Sequence, residues 1–133
     1  MSRISRRQFV AAAGAAVSYV FFSDGEVVHG GEKKMYGLIG KLKVAQGKRD
    51  ELAKILLDGI DKMPGCLSYV VSYDPGDANA IWITEVWDSR KSHEASLQLP
   101  SVQAAIAKAR PMITGFGERF ETEPIGGHGL PKS

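Results

Sequence analysis

The 133-residue chain is the length of one domain, and its 44% hydrophobic and 24% charged residues are the proportions of an ordinary globular protein. Its net charge of +2 depends on Arg3, Arg6 and Arg7, since setting these three aside from the 17 basic residues leaves 14 against 15 acids. The body therefore has no basic excess to attract nucleic acid, and the single cysteine, Cys66, excludes an internal disulfide or a cysteine-built metal cluster.

Residues 1–23 read as an export signal. The three arginines precede an uncharged apolar run from Phe9 to Phe22. That run is shorter than the roughly 20 residues of a spanning helix, so no stable membrane span is expected. Ser5-Arg6-Arg7-Gln8-Phe9-Val10 resembles the twin-arginine motif, which directs folded proteins across a bacterial inner membrane. The expected location is periplasmic or extracellular. The alternative for this segment is an uncleaved N-terminal helix. Residues 24–34, with Gly25, Gly30 and Gly31, read as a linker to a folded domain over residues 35–125.

Tyr36 to Val44 alternates, with Leu38, Leu42 and Val44 opposite Ile39, Lys41 and Lys43, and predicts a strand. From Lys48 to Met63, Leu52, Ile55, Leu56, Ile60 and Met63 fall at helical spacing, and Pro64-Gly65 stops that helix. Cys66 to Tyr73 predicts a second strand. Asp74-Pro75-Gly76-Asp77 is a turn, and Ala80 to Trp87 completes a hairpin as the third strand. Asp88 or Ser89 is placed to cap a helix running to about Leu99. Ser101 is placed to cap a second segment, with Val102, Ala105, Ile106 and Ala109 on one face and Pro111 at its end. Gly115 to Glu123 predicts the fourth strand, and residues 126–133 form a tail.

The order strand, helix, strand, strand, helix, strand belongs to the α+β class. It describes a ferredoxin-like split βαβ subunit: a four-stranded antiparallel sheet with helices on one face. The other face is expected to carry some of Tyr69, Val71, Ile83, Trp87 and Phe120. Two such faces pressed together predict a homodimer.

The chemistry concentrates between Ala80 and Leu97. By alternation Ile83, Glu85 and Trp87 share one face of the third strand, and Trp82, Thr84 and Val86 the other. Trp82 is expected in the core. Glu85, if buried, needs a partner or a raised pKa. Arg110, Arg119 or a tyrosine hydroxyl would serve as partner, and an ion pair within the dimer contact is the structural alternative to catalysis. Trp87 is either a pocket wall or plain core. His93 has the chemistry of a general base at neutral pH, against a solvated helix residue. Cys66 reads as a structural thiol rather than a nucleophile. His29 and His128 lie in loops without ligand spacing to His93. HExxH, CxxC, GxGxxG, P-loop and GxSxG motifs are all absent from the sequence, so no cofactor is expected.

The segment from Tyr36 to Leu130 resembles the antibiotic-biosynthesis monooxygenase family, which includes quinol monooxygenases. The resemblance is carried in order by the opening strand with Gly47, Pro64-Gly65-Cys66 and Glu85-Val86-Trp87-Asp88-Ser89. It continues through His93-Glu94-Ala95-Ser96-Leu97, Leu99-Pro100-Ser101-Val102 and Arg110-Pro111-Met112-Ile113. It implies a dimeric α+β barrel whose enzymes oxygenate phenolic or quinol substrates with dioxygen and no metal or flavin. His93, Trp87 and Glu85 are then the catalytic candidates, and Arg110, Tyr69 and Ser96 the substrate-binding ones. Ser96 stands where many members carry a histidine. Gly40 and Ile106 stand where haem-degrading members carry an asparagine and a histidine, which argues against haem degradation. The competing expectation is a non-catalytic dimeric module for a small apolar ligand or a protein partner. Trp87 and His93 packed together without a cavity would favour the module. An apolar cavity reaching Trp87 and a titratable group would favour the enzyme.

Overall fold

A computed structural model describes residues 34–58 and 60–131. The export signal and all but the last residue of the linker lie outside the described residues. Four strands form one antiparallel sheet: β1 (Tyr36–Val44), β2 (Cys66–Tyr73), β3 (Ala80–Trp87) and β4 (Ile113–Thr122), in the spatial order β2-β3-β1-β4. Three helices join them: α1 (Arg49–Leu57), α2 (Arg90–Ser96) and α3 (Pro100–Ala109), with 3-10 turns at Ile60–Lys62 and Arg110–Met112. The connectivity and strand order are those of the ferredoxin-like fold.

The first three strands occupy the residues that alternation assigned to them. The helix expected over 48–63 is shorter. It ends at Leu57, where Asp58 turns extended (ψ 128°), and only a 3-10 turn follows before Met63. The segment between β3 and β4 divides into α2 and α3. Ser89 caps α2, its Oγ accepting the Ser92 N–H at 3.1 Å. Pro100, not Ser101, opens α3, because a first-turn position needs no N–H donor. The turn between β2 and β3 is held by Asp74 and Asp77, whose carboxylates accept the Gly76 and Asn79 N–H groups, each at 2.8 Å.

The helices cover the face that carries Leu38 and Leu42 of β1, and Ile81, Ile83, Glu85 and Trp87 of β3. Leu52, Ala53 and Leu56 of α1, with Val102, Ile106 and Ala109 of α3, complete this core. The open face differs from the expected one. Ile83 and Trp87 are core, and Tyr69 and Val71 pack against it, paired with Glu85 and Ile83. Of the five residues expected on the open face, only Phe120 is there, beside Ile39. Trp82 is likewise on the open face rather than in the core. It is half-buried, its indole N–H donating to Asp74 at 3.0 Å and Lys41 lying 5.6 Å over its ring. A hydrogen bond at its edge and a cation over its face satisfy this amphipathic ring outside the core.

Candidate active site

The site is built on the end of β3 and the first turns of α2. Alternation turns Glu85 and Trp87 toward the helices, and α2 brings His93 against Trp87. The three side chains are buried, with exposures of 1%, 0% and 0%. His93 meets Trp87 edge to face, with ring centroids 5.5 Å apart, and the ring of Tyr36, the cross-strand neighbour of Trp87 on β1, at 5.4 Å. Such aromatic contacts add about 0.5–1.5 kcal/mol beyond burial.

Glu85 is the electrostatic centre. Its Oε1 accepts the Trp87 indole N–H at 2.8 Å, while its Oε2 has no hydrogen-bond partner among the described residues. Burial raises its pKa well above 4.5; the bond from Trp87 and the charge of Arg119 pull the other way. Tyr69 is the cross-strand neighbour of Glu85. Its ring is half-buried, but its hydroxyl is enclosed and also without a partner among the described residues. Burial first, and then the charges of Glu85 and Cys66, hold its pKa well above 10.0. Burial pushes the Cys66 thiol up to about 11, with the Glu85 charge adding to it, so Cys66 is a poor nucleophile at neutral pH.

Ser96 and Arg110 take other places. The Ser96 hydroxyl is buried and donates to the His93 carbonyl at 2.6 Å, which holds the end of α2. Arg110 is exposed in the turn before β4. β1 runs roughly 20 Å from Leu38, opposite Glu85, to Val44, opposite Ile113. The arginine on the Glu85 side of the molecule is therefore Arg119, which lies opposite Gly40.

Sequence reasoning missed the polar cap at the outer end of this cluster. Tyr36 donates its hydroxyl to Glu121, and Arg90 reaches the same carboxylate at 2.8 Å while lying 4.5 Å over the Tyr36 ring. Arg119 stands 3.8 Å from that carboxylate. Burial alone would push Glu121 up, but Tyr36, Arg90 and Arg119 together hold it below its usual value. The only sequence signal for this cap was alternation, which put Tyr36 on the same face as Leu38. A cleft between α1 and α3, lined by Leu56, Met63, Val102 and Ala105 among others, encloses about 10 Å³, room for about one water. It does not touch Trp87 or His93. Among the described residues no three His, Cys, Asp or Glu side chains gather as a metal site, and no helix there is long and apolar enough to cross a membrane.

A ferredoxin-like α+β domain with a buried carboxyl, indole and imidazole at one sheet end defines the class. The family described as antibiotic biosynthesis monooxygenase matches residues 35–108. The chain belongs to that family. It is 62% identical to a solved structure named "putative antibiotic biosynthesis monooxygenase" from Chloroflexus aurantiacus J-10-fl, over 73% of this chain and 99% of that one, with a TM-score of 0.70. A similarly named structure from Deinococcus radiodurans is 26% identical over 67% and 91% of the two chains, with a TM-score of 0.58. One from Caulobacter crescentus CB15, at 23% identity over 69% and 89%, shares the fold with a TM-score of 0.59. No match is found among curated proteins.

Proposed function

We propose that the protein is a cofactor-independent monooxygenase that oxidises a small phenolic or quinol-like aromatic with dioxygen. The observation that carries this reading is the gathering of Glu85, Trp87, His93 and Tyr69 on the helix-covered face at one end of β3. The relatives' names support the general activity. In the reaction one oxygen atom becomes a ring carbonyl. The other leaves as water with two hydrogens from the substrate, and all four electrons come from the substrate, so no further reductant is required. His93 takes the phenol proton, Trp87 walls the ring and Glu85 with Tyr69 meets its oxygen. A dry site keeps dioxygen reduction coupled to the substrate. Metal-free protein should consume oxygen with a panel of phenols and quinols, and His93→Ala should slow it by about 100-fold or more. Uptake no faster than the His93→Ala background would overturn the reading.

The closed edge-to-face contact of Trp87 with His93 favours a second reading, a non-catalytic dimeric module for an apolar ligand or a protein partner. Soaking with quinols separates the two. A ligand seated between Trp87 and His93 supports the enzyme, and a ligand bound elsewhere supports the module. The proposed site of action is outside the cytoplasm. Arg6→Lys with Arg7→Lys should hold the protein in the cytoplasm, and unchanged export would refute the twin-arginine reading.

A further inference from the structure

Two buried oxygens on the helix-covered face have no hydrogen-bond partner among the described residues, and they sit on neighbouring strands. Glu85 Oε2 and the Tyr69 hydroxyl belong to directly paired residues of β3 and β2. A buried polar atom without a partner is costly, which makes the pair suited to receiving a ligand atom rather than to serving as plain core.

The Trp87 bond indicates what that atom must be. An indole N–H only donates, so Glu85 Oε1 is an acceptor. A neutral carboxylic acid has one such acceptor oxygen and carries its proton on the other, which makes Oε2 a donor. The surroundings favour the neutral form. On the covered face Glu85 is flanked along β3 by Ile83 and Trp87, and across the sheet by Leu38 and Tyr69. The charged or titratable groups around it are Cys66 and Tyr69 on β2, Arg119 on β4 and, against Trp87, His93 on α2, and burial outweighs the arginine. Tyr69 brings a second O–H. Two donors on adjacent strands suit a single acceptor, and best of all an anionic one, as in sites that set a neutral carboxylic acid beside a tyrosine.

We propose that Glu85, as a neutral acid, and Tyr69 form a two-donor seat for the oxygen of a phenolate. The inference rests on the phenolic-substrate reading and assigns Glu85 a role opposite to that of a base. It also places His93 alone as the proton acceptor. The half-exposed Tyr69 ring on the edge strand β2 gives the side from which the seat is reached.

4-Nitrophenol is a suitable probe, because its phenolate absorbs visible light and its binding is read without turnover. The protein should bind the phenolate about tenfold or more tightly than the phenol. Tyr69→Phe should remove about tenfold of that preference. Glu85→Gln should keep it within about threefold, because the amide accepts from Trp87 and donates with its NH2 as the neutral acid does. Glu85→Leu should lose it. Should the leucine variant fail to fold, the infrared spectrum of wild type minus Glu85→Gln must still show a protonated carboxyl at neutral pH. The seat is overturned if the glutamine variant loses the preference, if Tyr69→Phe keeps it, if no phenolate binds, or if the carboxyl is ionised. Missing oxygen uptake with intact phenolate binding would sink only the monooxygenase reading. Uptake without the preference would sink only the seat.

Discussion

Glu85 has one oxygen satisfied by Trp87 and one without a partner among the described residues, an arrangement that costs about 1–3 kcal/mol for the second atom. Its pH dependence follows from burial. The folded pKa lies above 4.5, so the native state holds the proton more tightly than the unfolded chain does. That stabilisation is full below about pH 4 and is lost as the pH rises through the folded value. Glu85→Gln has no proton to lose. Its urea midpoint relative to wild type should therefore rise as the pH is raised above about 4, and a constant difference would refute a buried, raised Glu85. That Trp87 and Glu85 share a face was legible in the sequence, because residues two apart on a strand do so, but the bond between them was not: the expected partners were Arg110, Arg119 or a tyrosine hydroxyl. Nor was the contact of His93 with Tyr36 legible, because it joins α2 to a strand more than 50 residues away.

α2 has only seven residues, too few to be stable alone, so its neighbours place it. One neighbour is the Pro64-Gly65 turn, whose carbonyl accepts the Asp88 N–H at 2.8 Å. Gly65 has φ +85°, and a Cβ there would lie 2.5 Å from the Cβ and Oγ of Ser92. Gly65→Ala should cost about 1–3 kcal/mol from backbone strain alone and displace α2 with His93 from Trp87. Thermal unfolding and Trp fluorescence would register both effects. Gly76→Ala is the control, because the nearest atom to its Cβ would be 3.5 Å away, an ordinary contact. A Gly65→Ala protein as stable as the Gly76→Ala control would refute this placement. Pro64-Gly65 was readable as a helix stop, but its contact with Ser92 was not. Likewise, helical spacing through Ile60 and Met63 concealed the break at Asp58, since a 3-10 turn can bury the same residues.

For the molecule as a whole, the open face of the sheet carries Val70, 48% exposed, and Phe120, 54% exposed, with Thr84 and Ile39 between them and the half-buried Trp82 next to Thr84 along that face of β3. We propose that a second copy covers it. Val70→Lys with Phe120→Lys should turn a sedimenting dimer into a folded monomer, and a monomeric wild type would refute the proposal. This face also shows where local reasoning stopped. The limits of the first three strands, the hairpin turn and the separation of Trp87 from Trp82 are written in the order of residues, because alternation and turn dihedrals are local properties; the fourth strand, expected from Gly115, begins at Ile113. Family membership is legible for the same reason: it rests on an ordered string of such pieces. Which of the two faces the helices cover depends on how they pack, and β1 and β3 offer apolar side chains on both. Tertiary packing buried Glu85 beside Tyr69, left Trp82 on the open face and set Arg119 rather than Arg110 near the acid. Each of these follows from strand order and register, which bring together residues that are far apart along the chain.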